Sequence, residues 1–222
     1  MENKKNSNKF SLISHFLILI FLISICIWDR ITNVPKFPYN FIYLTQIDLY
    51  INIIYYTLIL IQDFKQKNTK KILNKFFNFC FSFSFNAFVM FWLIYLTNSK
   101  NLYKKKYKLN FILVFFLHGG VFIINFLEAT IINKRKKTQT ISLFYYFFLA
   151  VIYPFFLRFI YFNYGIKSYP FITKNFYYVF LIVFFSFLVC VFGHFFYVFI
   201  SNFNIENEEK ENELKFIENN EN

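Results

Sequence analysis

Two sets of polar residues stand inside apolar stretches of this chain at a spacing that could do chemistry. Thr45, Asp48, Asn52 and Tyr55 recur at i, i+3, i+7 and i+10, and His118, Asn125 and Glu128 repeat that pattern. At 3.6 residues per turn each set is one stripe along a helix. A hydroxyl beside an imidazole is the minimum for nucleophilic acyl transfer. Thr45 Oγ becomes a nucleophile once a neutral His118 takes its proton, and Asp48 could orient the ring as the carboxylate of a triad does. Gly119 and Gly120 follow His118 directly. They permit close helix packing, or open a path for a substrate carbonyl to backbone N–H donors. Plain structural roles compete with these. A membrane threonine commonly bonds its own i−4 carbonyl, and Asp48 and Glu128 could be simple hydrogen-bond acceptors.

The elements that must position these residues are membrane helices. The chain is 57% hydrophobic and only 16% charged, which excludes an ordinary soluble domain. A crossing helix needs about 20 apolar residues. Six segments qualify: Phe10–Trp28, Phe41–Ile61, Phe76–Leu96, Asn110–Ile132, Ile141–Phe162 and Phe176–Ile200. The first follows Lys4, Lys5 and Lys9 as a signal peptide would, but it ends in Ile27-Trp28-Asp29 without a small-residue cleavage pattern and is read as a retained helix. The fold class is therefore an all-α membrane protein, a bundle of six transmembrane helices over residues 1–200. Residues 201–222, with seven Glu and two Lys, read as an acidic, disordered tail.

Basic residues set the expected orientation. The N-terminus, second and fourth loops and C-terminal tail carry 14 Lys and Arg, against nine in the other three loops. The positive-inside rule then puts both termini in the cytosol, against the pull of five lysines in the third loop. In this orientation Thr45, Asp48 and His118 lie roughly 6, 10 and 12 Å into their spans from the non-cytosolic side. Arg158, four residues before the end of the fifth span, falls at a similar depth. Glu128 and His194 belong to the opposite half, and His15 reads as interfacial or structural.

Other chemistries are excluded or unsupported. The net charge of +12 comes from residues bracketing apolar spans, so no nucleic-acid partner is expected. Cys26, Cys80 and Cys190 all lie in apolar runs without metal or disulfide spacing and read as small buried hydrophobes. No GxSxG, HExxH, P-loop or GxGxxG motif occurs, and neither cofactor nor metal is implied. The 38 Phe reflect residue types with A/T-rich codons, so abundance alone assigns no aromatic a role.

The run Phe41-Ile42-Tyr43-Leu44-Thr45-Gln46-Ile47-Asp48-Leu49 resembles the Phe-Leu-Thr-x-Ile-Asp-Leu stretch of the androgen-induced gene / androgen-dependent TFPI-regulating protein family. Phe91-Trp92-Leu93-Ile94-Tyr95 is similar to the aromatic end of that family's third helix, and Gly165 through Tyr169-Pro170-Phe171 to its Gly-x-x-x-Tyr-Pro-Phe. These anchors fall in the family's order over residues 40 to 200. The resemblance implies a six-helix hydrolase of fatty acid esters of hydroxy fatty acids whose nucleophile is Thr45. The family's base lies in His-Gly-x-His-Thr. A local match would put that position on Val121. The spacings to Glu128, ten residues on, and to Pro170, 52 on, put it on His118 and replace the family's first His with Phe115. Tyr161 and Phe162 stand where the family has paired histidines.

The expected activity is hydrolysis of a lipid ester entering sideways from the membrane. Thr45 and His118 are catalytic, and Asp48, Gly119 and Arg158 orient or support them. The partners are the lipid ester and membrane lipids, in the endoplasmic reticulum or plasma membrane. Two alternatives stand beside it. One is an inactive lipid-binding or regulatory protein on the same scaffold. The other is a small proton-coupled transporter using Asp48, His118, Glu128 and Arg158 as a relay.

Overall fold

The computed structural model describes residues 2–32, 43–65, 70–98, 111–132, 144–165 and 176–221. Among the described residues there are helices and no strand. Long apolar runs favour this outcome, because a helix satisfies every backbone N–H and C=O within one segment. Helices α1 (Glu2–Thr32), α2 (Leu44–Lys65) and α3 (Lys70–Asn98) are continuous. The fourth, α4, begins as Phe111–Phe115, widens into a π turn at Phe116–Gly120, returns to α geometry at Val121–Leu127 and ends in a second π turn at Glu128–Ile132. Helices α5 (Phe144–Tyr164) and α6 (Phe176–Glu221) complete the chain.

Five of these hold stretches long and apolar enough to cross a membrane: Lys9–Thr32, Leu44–Lys65, Ile72–Leu93, Ile112–Ile132 and Phe180–Asn204. The 21-residue α5 is also strongly apolar. The expected first turns at Phe41 and Ile42, at Asn110 and at Ile141 to Leu143 lie outside the described residues. So do most of the loop lysines that argued for orientation. The acidic segment after Ser201 continues α6 as helix to Glu221; glutamate and lysine are good helix formers and carry on a helix already nucleated upstream.

Polar side chains are buried beside an apolar core, and large apolar side chains face outward. His15, Asp48, Asn52, Ser84, Asn125 and Glu128 are each at most 2% exposed. Phe10, Ile13, Leu17, Ile20, Ile27 and Ile31 of α1 are all exposed. An apolar exterior around an interior that holds polar side chains as well as apolar ones suits lipid as the surrounding solvent. The described chain is thus an integral membrane helix bundle.

Helix α3 is the centre, with 61% of its spanning window buried against 17% for α1. It packs on α2, α4 and α6, while α1 lies on α2 and α5 on α6. Phe77, Phe81 and Tyr197 interlock by ring contacts between α3 and α6. Gly193 lets the two come close, since a Cβ there would stand 3.0 Å from Phe85 Cδ1. Gly165 closes α5 with φ +65° and an N–H bond to the Tyr161 carbonyl, a left-handed cap that suits glycine.

Candidate active site

The two polar stripes face each other. Asn125 Nδ2 donates to Asn52 Oδ1 at 2.8 Å, and Tyr56 OH donates to Asn125 Oδ1 at 3.1 Å. Ser84 of α3 joins them, accepting from Asn125 Nδ2 at 2.8 Å and from Asn52 Nδ2 at 3.1 Å. Polar side chains in hydrocarbon find partners on neighbouring helices, and this amide and hydroxyl cluster ties α2, α3 and α4 together.

The cluster also sets the level of the residues with chemistry. Along α2 and α4 the contacts run in the same direction: Asn52 meets Asn125, and farther on both helices Asp63 and Glu128 meet His15. The two helices are therefore parallel. Thr45 stands seven residues before Asn52, and His118 seven before Asn125. At 1.5 Å per residue both lie about 10 Å from the amide cluster on the same side. Helix α3 runs the other way and brings Phe91 to that level, seven residues past Ser84. The His118 ring stacks on Phe91, with centroids 3.4 Å apart and planes at 6°. Thr45, Phe91 and His118 thus share one layer of the bundle, and α2 packs against the π turn that carries His118.

Within that layer Thr45 is buried, in the first turn of α2. His118 is half-buried, and its Nδ1 is a buried atom with no hydrogen-bond partner. No hydrogen bond joins Thr45 and His118 among the described residues. π turns inside α-helices change the direction of following side chains and recur at functional sites. Here the turn spans Phe116-Leu117-His118-Gly119-Gly120. Gly119 is buried against α3; a Cβ there would lie 3.8 Å from Phe88 and from Trp92 Nε1. Val121, the other register for a base, is 1% exposed in the apolar core.

The supporting residues are placed differently. Asp48 is 2% exposed, and its Oδ1 accepts from Ser84 OH at 2.8 Å and Asn52 Nδ2 at 2.9 Å. Its hydrogen bonds serve the amide cluster and do not reach His118. Arg158 lies on α5, with its guanidinium 5.2 Å from the Phe162 ring of the same helix. Tyr161 and Phe162 contact each other by their rings at 5.5 Å.

Sequence reasoning missed a second polar centre. His15 of α1 is fully buried, with Nδ1 2.6 Å from Asp63 Oδ2 and Nε2 3.0 Å from Glu128 Oε1. A neutral imidazole donates from one nitrogen only, so two carboxylate partners require an imidazolium or a carboxyl that holds a proton. Both ring nitrogens are taken, which leaves no lone pair for a metal ion. Among the described residues no other group of His, Cys, Asp or Glu is set to hold one either. The only early signal was that His15, Asp63 and Glu128 are ionisable residues in or beside apolar spans. His194, also unassigned, has Nδ1 3.0 Å from Asn78 Oδ1 between α6 and α3.

No curated protein and no solved structure matches this chain. A family model, FAR-17a/AIG1-like protein, matches residues 10–205, covering every helix that carries the stripes and the layer of Thr45 and His118. The chain therefore belongs to the FAR-17a/AIG1-like protein family, the androgen-induced gene 1 family.

Proposed function

We propose that this protein is an integral-membrane hydrolase of lipid esters, fatty acid esters of hydroxy fatty acids or close relatives, with Thr45 as nucleophile and His118 as general base. One observation carries the reading. A buried hydroxyl and an imidazole with an unpartnered nitrogen occupy the same layer of a bundle whose outer surface is apolar. Family membership is consistent with it.

In this mechanism Thr45 Oγ attacks the ester carbonyl as His118 removes its proton. The tetrahedral intermediate collapses, the ester C–O bond breaks, and the departing alkoxide takes the proton from His118. Water, deprotonated in turn by His118, attacks the acyl-threonine; the acyl C–Oγ bond breaks, the fatty acid leaves, and His118 returns the proton to Thr45 Oγ. The ring stacked on Phe91 must come within hydrogen-bond reach of Thr45 when substrate enters, and catalytic hydrogen bonds commonly tighten only in that complex. Both termini are assigned to the cytosol and the protein to the endoplasmic reticulum or plasma membrane, which puts the Thr45–His118 layer in the non-cytosolic half of the bilayer.

A fluorophosphonate probe applied to membranes tests the assignment. Wild-type protein is expected to label, and Thr45→Ala and His118→Ala are expected not to. Equal labelling of wild type and Thr45→Ala removes the nucleophile. A second reading, a lipid-binding scaffold without turnover, is favoured by the missing Thr45–His118 hydrogen bond. It predicts no labelling of the wild type and retained cellular function in His118→Ala.

A further inference from the structure

Buried polar atoms almost always find partners, and an indole N–H is one of the more demanding because it has a single donor and no acceptor. Trp92 Nε1 is buried and has none. It stands beside the candidate chemistry. Phe91, the next residue, stacks on His118 at 3.4 Å and meets the Trp92 ring edge-on at 5.4 Å. Across the α3–α4 contact, Nε1 lies 3.8 Å from where a Cβ on Gly119 would stand, and Gly119 is the neighbour of His118. Phe88 and Phe115 bound the same space at 3.8 and 3.7 Å. The missing side chain thus leaves an opening of about one methyl group, walled by aromatic carbon and containing one unsatisfied donor.

We propose that Trp92 Nε1–H is the oxyanion donor of this site and that the opening at Gly119 receives the carbonyl oxygen of the ester. The inference rests on the hydrolase reading above. When Thr45 Oγ bonds to the carbonyl carbon, the π electron pair moves onto that oxygen and negative charge develops there. An oxygen at the opening needs to lie only about 1 Å closer to Nε1 than the absent Cβ to come within hydrogen-bond range. Collapse returns the pair to the C=O bond, expels the alkoxide and releases the hydrogen bond. Apolar walls strengthen a donor aimed at developing charge, since no water screens it. The backbone N–H groups of Gly119 and Gly120 suit this role poorly, because helical N–H groups point along the axis toward main-chain acceptors. This inference also explains why a buried donor is left unpaired in the unreacted protein: its partner exists only during the reaction.

The test compares wild type, Trp92→Phe, Gly119→Ala and Thr45→Ala in lipid nanodiscs with p-nitrophenyl octanoate as the ester. Trp92→Phe keeps most of the ring and removes the donor, so kcat is expected to fall about 100-fold while KM stays within about twofold. Its melting temperature is expected to fall by no more than a few degrees, since no hydrogen bond is lost and the smaller ring keeps part of the aromatic packing. Gly119→Ala fills the opening at ordinary contact distance; it is expected to melt like wild type and also lose turnover. Thr45-dependent hydrolysis that Trp92→Phe leaves within about threefold of wild type overturns the oxyanion role and spares the hydrolase reading. A wild type without Thr45-dependent hydrolysis overturns that reading and this inference with it. If Trp92→Phe loses turnover and also melts more than a few degrees lower, Gly119→Ala decides. Undiminished turnover there overturns the proposal, and reduced turnover with an unchanged melting temperature supports it.

Discussion

Replacing His15 with alanine probes the polar centre that joins α1 to α2 and α4. The substitution removes two hydrogen bonds to carboxylates, 2.6 Å to Asp63 and 3.0 Å to Glu128. Their costs differ because the carboxylates are placed differently. The Asp63 side chain is 23% exposed and can regain water, whereas Glu128 is fully buried and loses its imidazole partner in a low-dielectric interior. Interhelical hydrogen bonds in membrane proteins average only about 0.6 kcal/mol. Taking a hydrogen-bond partner from a fully buried carboxyl costs more, about 1–3 kcal/mol and toward the upper end where the group is charged. The second case applies to Glu128, so the expected loss is about 3 kcal/mol. For a chain of this size that corresponds to a fall of about 6–12 °C in melting temperature. Cys80 and Cys190 are buried thiols outside any disulfide, so a thiol-reactive fluorophore reports unfolding of the detergent-solubilised protein. Adding Glu128→Leu to His15→Ala removes the buried carboxyl that has lost its imidazole partner and is expected to recover at least half of the loss. A His15→Ala protein that melts with wild type refutes the coupling. A double variant no better than the single one refutes the assignment of the cost to Glu128.

The amide cluster carries a related prediction. Asn125→Leu removes hydrogen bonds to Asn52, Tyr56 and Ser84 and is expected to cost about 2 kcal/mol, read from the same thiol-reactivity melt. Asp48→Asn keeps an acceptor for Ser84, so kcat on an activated ester is expected within about tenfold of wild type. A loss near 10⁴-fold would instead mark Asp48 as the orienter of His118. Gly193→Leu drives a side chain into Phe85 at the α3–α6 contact and is expected to destabilise by about 1–3 kcal/mol; an unchanged melting temperature would contradict the close packing there.

Much of this molecule is legible from composition and periodicity. Long apolar runs leave the backbone no partner but itself, so the helices and their approximate bounds follow from the sequence. Stripe spacing likewise puts Asn52 and Asn125 on inward faces, because a polar side chain facing lipid is costly. Charge composition does not register that α6 runs on into the acidic segment after Ser201, because that depends on the helix that precedes it. Counting residues into each span put Thr45, Asp48 and His118 at similar depths but left open which atoms of the two stripes meet. The Asn52–Asn125 hydrogen bond settles that and brings Thr45 and His118 into one layer. The sequence also could not reveal that Asp48 serves Ser84, that Trp92 is left with an unused donor, or that His15 bridges carboxylates 48 and 113 residues away. Periodicity describes one helix at a time. Which polar atoms find partners depends on crossing angles, on the local rotation introduced by the π turn and on the close approach that Gly119 allows, and only the packed bundle determines these.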